Sequence, residues 1–445
     1  MELYDERYCR DLGDGYMVRW ATPADVAGYV DLSMRVFRGS ANDAPSESIR
    51  RYGIDLTSEY HPHLHWRNVA VVVDAEEQVV AGAVLMQQPM DYDGIRLQLG
   101  RPEVVSSAEH VRHKGFVRHI FQLLHAKSEA RGDHVQGITG IPYFYRKFGY
   151  EYGIDAEAYA SISFATLPTK PMHEVTVRRA RVDEYDKFVR LYDADRLSGR
   201  YMITTPMEHS YFTFLLEKAT SYNVYTPYVI CQDETIIGYL ILGRSNWDEH
   251  IVVWAWGMAS GYAWQQYALP VLHALPQIRD QIAIRYPNKV RELTGVNVML
   301  DDAHAARQQI QFGIPHTSEP VYAWYTRVAD YAYLLESLRP VLERRLSHSA
   351  MCGFSGEVHL SFYGKGVSMT WHEGQLTACK NTRPPLMGEG TNGTYPPGAF
   401  MLQLFGRKSF KQIKYWHHEV RVDAETEQLL GILFPTKSSW FLHMN

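Results

Sequence analysis

Cysteine is scarce here: Cys9, Cys231, Cys352 and Cys379 are the only four in 445 residues, far apart and without a CxxC pair. That excludes a disulfide framework and a thiolate zinc centre. No apolar run approaches the roughly 20 residues that a membrane-spanning helix needs. Met1–Arg7 also lacks the basic and apolar regions of a secretion signal. Charge of one sign is missing too, since 45 Lys+Arg stand against 50 Asp+Glu for a net of −5. Nucleic-acid binders usually show a clear basic excess. Neither nucleic acid nor a membrane is therefore expected as a partner, and the chain reads as cytoplasmic and reduced. What is present is ordinary for a globular protein, 46% hydrophobic and 21% charged, with length for about three domains.

Met17–Ala21 has the pattern of a strand, and Thr22-Pro23-Ala24-Asp25 is a helix start with proline in the first turn. Val69–Val73 and Val79–Met86, separated by a polar turn, predict a hairpin. A further strand is expected around Leu97–Ser107. The short basic loop Arg112-His113-Lys114-Gly115-Phe116-Val117 follows it. Phe116, Val117, Ile120, Phe121 and Leu124 then fall at helical spacing, ended by Arg131-Gly132.

A diphosphate needs several N–H donors converging on one point, best at a helix N-terminus. Gly115 lets backbone approach closely, and Arg112, His113 and Lys114 add charge. A basic residue three before a glycine is common in solvated turns, but here a strand enters and an amphipathic helix leaves. Beyond lies an aromatic turn, Tyr143-Phe144-Tyr145-Arg146-Lys147-Phe148-Gly149-Tyr150. Some of these tyrosines are expected to be half-buried aromatics with wet hydroxyls.

The same grammar recurs about 160 residues later. Val177-Arg178-Arg179-Ala180 echoes Val18-Arg19-Trp20-Ala21, Tyr228–Gly238 echoes Val69–Gly82, and Phe312-Gly313 echoes Phe148-Gly149. The second copy has Ser260-Gly261-Tyr262-Ala263-Trp264 where the basic loop should be, and Pro270 is expected to interrupt its helix. It reads as a fold kept and a site lost. From about Asp330 a small α+β region follows, with one amphipathic helix over Tyr333–Leu346, an alternating strand at Glu357–Phe362, a turn at Gly364-Lys365-Gly366, and helices at Ala399–Phe405 and Asp423–Leu433.

The loop, the tyrosine turn and the duplicated layout resemble the GNAT acetyltransferases. The closer resemblance is to the enhanced-intracellular-survival (Eis) type, in which two GNAT domains precede a sterol carrier protein-like domain. Gly100-Arg101-Pro102-Glu103-Val104-Val105, Ile138–Tyr145 and Met401–Gly406 are similar to stretches of that group. The resemblance implies an α+β fold of two tandem GNAT domains with mixed sheets and a sterol carrier-like domain, divided at 1–165, 166–330 and 331–445. It implies acetyl-CoA as co-substrate, with Val105, Ser106 and Ser107 along the pantetheine arm and Arg112, His113, Lys114, Gly115, Phe116 and Val117 around the diphosphate. Val117 stands where most GNAT proteins carry glycine or alanine.

The resemblance further makes Tyr145 the proton donor to the departing thiolate, thiols titrating near about 8.5 and phenols near about 10. It makes the C-terminal carboxylate, on Asn445, the base for an amine that titrates near about 10. The acceptor would be a small-molecule primary amine of aminoglycoside, polyamine or lysine type, and the assembly a homo-oligomer, of which a hexamer is the form implied. The rival reading is a non-enzymatic protein holding a lipid or acyl ligand in its third domain. Its support is the apolar helix near Met401–Phe405 opposite an alternating sheet, which a closed core would explain equally. Aminoacyl transfer on the same scaffold is a third reading, and the acidic balance argues against tRNA. No metal is expected: His61-Pro62-His63-Leu64-His65 alternates imidazoles, but its proline suits a loop, and His417-His418-Glu419 lacks zincin spacing.

Overall fold

The computed structural model describes residues 1–40, 42–58, 60–156, 158–168, 174–217, 221, 225–244, 249–282, 292–319, 322–383 and 390–444. The first part contains β1 (Cys9–Gly13), β2 (Tyr16–Trp20), α1 (Pro23–Val36), α2 (Glu47–Thr57), β3 (Val69–Val73), β4 (Val79–Tyr92), β5 (Ile95–Ser107), α3 (Phe116–Ala130), β6 (Val135–Ile138) and β7 (Glu151–Asp155). Thr22 caps α1 through a reciprocal box with Asp25. Every residue of β3 is buried. Val69, Val71 and Val73 pack with Tyr29, Leu32 and Tyr52 of α1 and α2. Ala70 and Val72 pack with Phe116, Ile120 and Leu124 of α3. A sheet covered on both faces needs apolar residues at every position, so the strand shows no alternation.

The second part contains β8 (Tyr159–Ser163), β9 (Thr176–Arg179), α4 (Tyr185–Arg196), β10 (Tyr201–Thr204), α5 (His209–Glu217), β11 (Thr226–Gln232), β12 (Thr235–Arg244), β13 (His250–Met258), α6 (Trp264–Ala274), β14 (Gly295–Val298), α7 (Ala305–Gly313), β15 (Thr317–Glu319) and β16 (Ala323–Arg327). The first sheet runs β1-β2-β3-β4-β5-β6-β16-β7, and the second, read from its other edge, β9-β11-β12-β13-β14-β8-β15. From β2 and β9 onward the connectivities match strand for strand, and in both the single parallel step is the same one, β5 with β6 and β13 with β14.

The match includes an exchange that the sequence reading did not foresee. β16 lies between β6 and β7, while β8 lies between β14 and β15. Each sheet is completed by a strand from the other part, so β8, within 1–165 by sequence, is a strand of the second sheet. Pro270 does not end its helix as expected: α6 runs through it to Ala274.

The third part holds α8 (Tyr331–Ser337), α9 (Arg339–Ser347), β17 (Gly356–Ser361), β18 (Gly366–His372), β19 (Gln375–Thr382), β20 (Gly393–Thr394), α10 (Ala399–Leu404), α11 (Phe410–Trp416), β21 (Arg421–Val422), α12 (Ala424–Leu433) and β22 (Ser438–Trp440). The one helix expected over Tyr333–Leu346 is two, parted at Leu338 with Pro340 in the first turn of the second. Phe400 of α10 packs among Phe362, Tyr395 and Phe434. The space between α10 and the sheet is thus occupied by aromatic side chains. This part is fastened to the first by Asp93, in the β4–β5 turn, which pairs with Arg345 at 2.8 Å, Lys437 at 2.9 Å and Arg344 at 3.2 Å. β22 pairs with β10, which in turn pairs with the end of β4. Among the described residues no helix is long and apolar enough to cross a membrane.

Candidate active site

β4 and β5 pair along their whole length except for a bulge, where Gly82↔Ser106 gives way to Val84↔Glu103. The extra residue falls at Val104, whose φ of 49° is unusual for a β-branched side chain. Its carbonyl accepts a hydrogen bond of 2.8 Å from the Tyr29 hydroxyl. The Ser106 hydroxyl is turned to the same side, 2.8 Å from Ser33 Oγ. On the other edge, β5 pairs with β6 only at Leu99↔Val135 and Gly100↔Gln136. Past that point the strands diverge, and among the described residues the β6-facing edge of β5 from Arg101 to Ser107 has no strand partner. Val105 and Ser107 lie half-buried along this gap.

The gap leads to the basic loop. His113 (φ 70°) and Gly115 (φ 84°) are both left-handed, and this alternation turns successive N–H groups toward one side. A Cβ at Gly115 would meet nothing within 4 Å, so the space above it is open. α3 starts at Phe116 with no side-chain cap. The first-turn N–H groups, those of Phe116 and Val117 among them, therefore have no partner within the helix. Arg112, His113 and Lys114 are exposed; Lys114 leans over the Tyr16 ring, with Asp14 3.6 Å from its Nζ. Such a cradle suits a diphosphate, which brings the charge that the open N–H groups favour.

Tyr145 stands across the gap, on the short 3-10 turn Phe144–Phe148. Its ring packs against Phe121 of α3, Tyr150 and Tyr325 of β16. A Cβ at Gly140 would stand 3.2 Å from its hydroxyl, so the phenol tip reaches the chain just beyond β6. Burial pushes this phenol well above the usual tyrosine range, and the Glu103 carboxylate and Tyr322 add to the rise. Of its neighbours, Tyr150 is bonded to His125 Nε2 at 2.9 Å, Tyr143 is exposed, and Tyr152 stacks on Tyr325 at 4.0 Å.

Glu103 was not singled out by the sequence, because it sits within a stretch read as a cofactor strand. It lies opposite Val84, which packs with α1 and α2, so its side chain is on the face away from α3. Glu103 and Tyr145 thus flank the gap from opposite faces of the sheet. The carboxylate pairs with Arg101, which is 1% exposed and stacks on Trp324 at 4.9 Å. Arg101 also bonds Gln88, and Gln88 holds the end of the chain: its Nε2 donates to the Leu442 carbonyl at 2.8 Å and its Oε1 accepts from Met444 N at 3.4 Å. The Thr205 hydroxyl bonds both N and O of Leu442, and the His443 ring packs on Trp324 at 4.5 Å. Leu442, His443 and Met444 are therefore held beside the residues that pair with Arg101. Asn445 itself lies outside the described residues.

The corresponding place in the second sheet is the turn before α6. Gly261 is left-handed there (φ 93°) with open space above it, but no cation stands beside it between Met258 and Trp264. That backbone keeps the shape without the charge.

Residues 17–153 match the family model described as an acetyltransferase (GNAT) domain. Comparison with curated proteins finds no match. Among solved structures, the chain is similar to a GCN5-related N-acetyltransferase from Kribbella flavida, 15% identical with a TM-score of 0.67, covering 96% of this chain and 98% of that one. It is similar to a GCN5-related N-acetyltransferase from Anabaena variabilis, at 13% identity, TM-score 0.66 and coverage of 96% and 99%. It is also similar to Eis1 from Mycobacterium abscessus, at 12% identity, TM-score 0.56 and coverage of 97% and 99%. At these identities the likeness is one of fold, and it extends over nearly the whole chain. Over Met17 to Gly153 the chain is thus similar to an acetyltransferase (GNAT) domain, and over nearly its whole length it shares a fold with proteins described as N-acetyltransferases.

Proposed function

We propose that the chain transfers an acetyl group from acetyl-CoA to a small primary amine, in a tandem arrangement of the Eis type with units near 1–165, 166–330 and 331–445. The observation that carries the reading is the open edge of β5 between the left-handed loop before α3 and the Tyr145 hydroxyl. Acetyl-CoA supplies an activated thioester. The N–H groups at the start of α3, with Arg112 and His113, would hold its diphosphate, and backbone groups of Val105 to Ser107 its pantetheine arm. An amine approaching from the α1–α2 face would meet Glu103, a carboxylate suited to attract the ammonium and accept the proton it gives up before attack. The terminal carboxylate of Asn445 is a second candidate for that proton.

The leaving thiolate would face Tyr145. Because burial raises the phenol far above the roughly 8.5 of a thiol, full transfer from the phenol runs uphill. Its role is accordingly a hydrogen bond to sulfur as negative charge develops there, with the proton that neutralises the thiolate arriving from the amine side or from water. Tyr145→Phe should then slow turnover by about 10²–10⁴-fold, the range for positioned acid-base groups, while acetyl-CoA affinity by calorimetry changes little. Unchanged turnover would remove Tyr145 from this role. Acetyl-CoA that fails to bind the wild-type protein would remove the whole assignment and favour the ligand-carrier reading, against which the packed aromatics under α10 already weigh.

A further inference from the structure

The second sheet keeps more of the first than its strand order. Its β12–β13 pair also carries a bulge, where Ile241↔Ala255 gives way to Leu242↔Val253 and the extra residue is Trp254. The bulge carbonyl is again taken by a side chain. Trp254 O accepts from the Trp440 indole N–H at 3.2 Å, as Val104 O accepts from the Tyr29 hydroxyl. Beside the bulge, β13 parts from β14 after Val253↔Val298. A cavity of about 310 Å³ opens there, bounded by Trp254, the stretch Met299–Ala303 after β14, Asp155 at the end of β7 and the returning chain from Ser438 to Leu442. It stands where the first sheet has Glu103 beside its own gap. Two indoles and three carboxylates line it, and among the described residues no cationic side chain does. Asp155 is paired with Arg407 at 2.8 Å and Asp302 with Arg307 at 2.7 Å. Asp301, half-buried, has no cation partner among the described residues, and its Oδ1 accepts the Ala303 N–H at 2.9 Å. Its charge is felt by a buried neighbour: burial, then Asp195 and Asp301, push the Tyr201 phenol up.

We propose that this cavity binds a small organic ammonium ion and does no chemistry on it. An ammonium against Asp301 supplies the counter-charge that this carboxylate lacks, while the indole walls cover the hydrocarbon part. Three carboxylates disfavour an anion. A bare metal ion fits less well, since among the described residues no group of three acidic, His or Cys side chains is arranged to hold one. Without a cation beside the Gly261 turn to hold a diphosphate, the bound amine meets no thioester and leaves unchanged. The likeness to the Glu103 side rests on the acetyltransferase reading; the cavity and the carboxylate without a counter-ion do not.

The test is calorimetric titration of the full chain with n-butylammonium chloride, without acetyl-CoA, with thermal melts as the folding control. It uses the Glu103→Gln protein, so that the carboxylate beside the first gap does not compete. One ion should bind per chain, and adding Asp301→Asn should weaken it about tenfold or more, as loss of a charge-assisted hydrogen bond does. Ala303→Lys, at an exposed position on the cavity wall, brings a tethered ammonium of its own and should block the site without disturbing the core. n-Butanol, the same hydrocarbon without the charge, should not compete. Absence of binding overturns the proposal, as does binding indifferent to both Asp301→Asn and Ala303→Lys, or binding that n-butanol matches. Magnesium chloride that displaces the amine from this site also overturns it, in favour of a metal site. Because acetyl-CoA is absent throughout, failure here leaves the acetyltransferase reading standing, and failure of acetyl-CoA to bind the wild type leaves this result standing.

Discussion

The most discriminating perturbation uses the internal duplication as its own control. Gly115 and Gly261 occupy matching turns before α3 and α6, with φ of 84° and 93°, and neither would place a Cβ against any atom within 4 Å. Alanine at either site meets only the backbone penalty of the left-handed region, roughly 1–2 kcal/mol. For domains of this size that should lower the melting temperature by a few degrees, about 2–4 °C per kcal/mol. The two substitutions should therefore cost similar stability. They should differ in ligand binding. At Gly115 the loop relieves its strain by turning N–H groups away from the diphosphate, and loss of one charge-assisted hydrogen bond, about 1.5–3 kcal/mol, weakens acetyl-CoA by tenfold or more. At Gly261, with no cation beside it, acetyl-CoA affinity should not move. Gly115→Asp extends the series. A carboxylate about 5 Å from a phosphate charge at an effective dielectric near 20 repels by roughly 3 kcal/mol, more than a hundredfold in affinity. Calorimetric titration with acetyl-CoA and thermal melts on all three variants complete the experiment. Equal loss of affinity at Gly115 and Gly261, or no loss at Gly115→Asp, would refute the assignment of the loop.

Glu103→Gln should reduce turnover about a hundredfold with acetyl-CoA affinity nearly retained, and its remaining rate should climb with pH as free amine accumulates; a wild-type pH profile would exclude the carboxylate as proton acceptor. Asp93→Asn should destabilise the protein by about 2–3 kcal/mol, since it leaves the largely buried Arg345 without its carboxylate while the more exposed Arg344 and Lys437 can hydrate. Burial alone would raise the Asp93 pKa, but Lys437 and Arg345 outweigh it and hold it below the usual range. That stabilisation is present above the unfolded value near about 3.9 and fades as pH falls through the lower folded value, so wild type and Asp93→Asn should converge in acid urea titrations. If they differ most in acid, the clamp is not electrostatic. A fragment of residues 1–165 should fail to bind acetyl-CoA, because β16 separates β6 from β7 and comes from outside it; wild-type affinity in that fragment would contradict the exchange.

The strand–loop–helix unit was legible because its signals are local. A glycine that must be left-handed, cations beside it and an amphipathic run after it are all within about 20 residues. The bulge was not, because nothing in Val104 marks a residue for positive φ. Its geometry is set by a hydrogen bond from Tyr29, 75 positions earlier. Glu103 escaped notice for a related reason. A carboxylate on a strand is unremarkable until the bulge, Arg101 and the returning chain end converge on it. The break between α8 and α9 had a local sign in Pro340, but apolar periodicity carried across it and masked the stop. The pattern reports which face is buried, and both helices bury the same one.

The exchange of β8 and β16 bears on what a second sheet without a charged loop contributes. In local pattern either strand suits either sheet, since each needs only a short segment at the same inner position, one strand from the edge; connectivity decides the pairing, and connectivity is not written in periodicity. Once exchanged, β16 brings Tyr325 against Tyr145 and Trp324 against Arg101, one on each side of the gap. The second part thereby supplies the wall behind the phenol and the ring over the guanidinium that pairs with Glu103. Its remaining elements hold the chain end as well, through Thr205 and Tyr211 to Leu442 and His443. A sheet of matching strand order with no cation beside its own turn can still be needed if the site it completes is the other one. On these contacts, selection would act on the second part through packing against Tyr145 and Arg101, and its own turn at Gly261 would be free to drift.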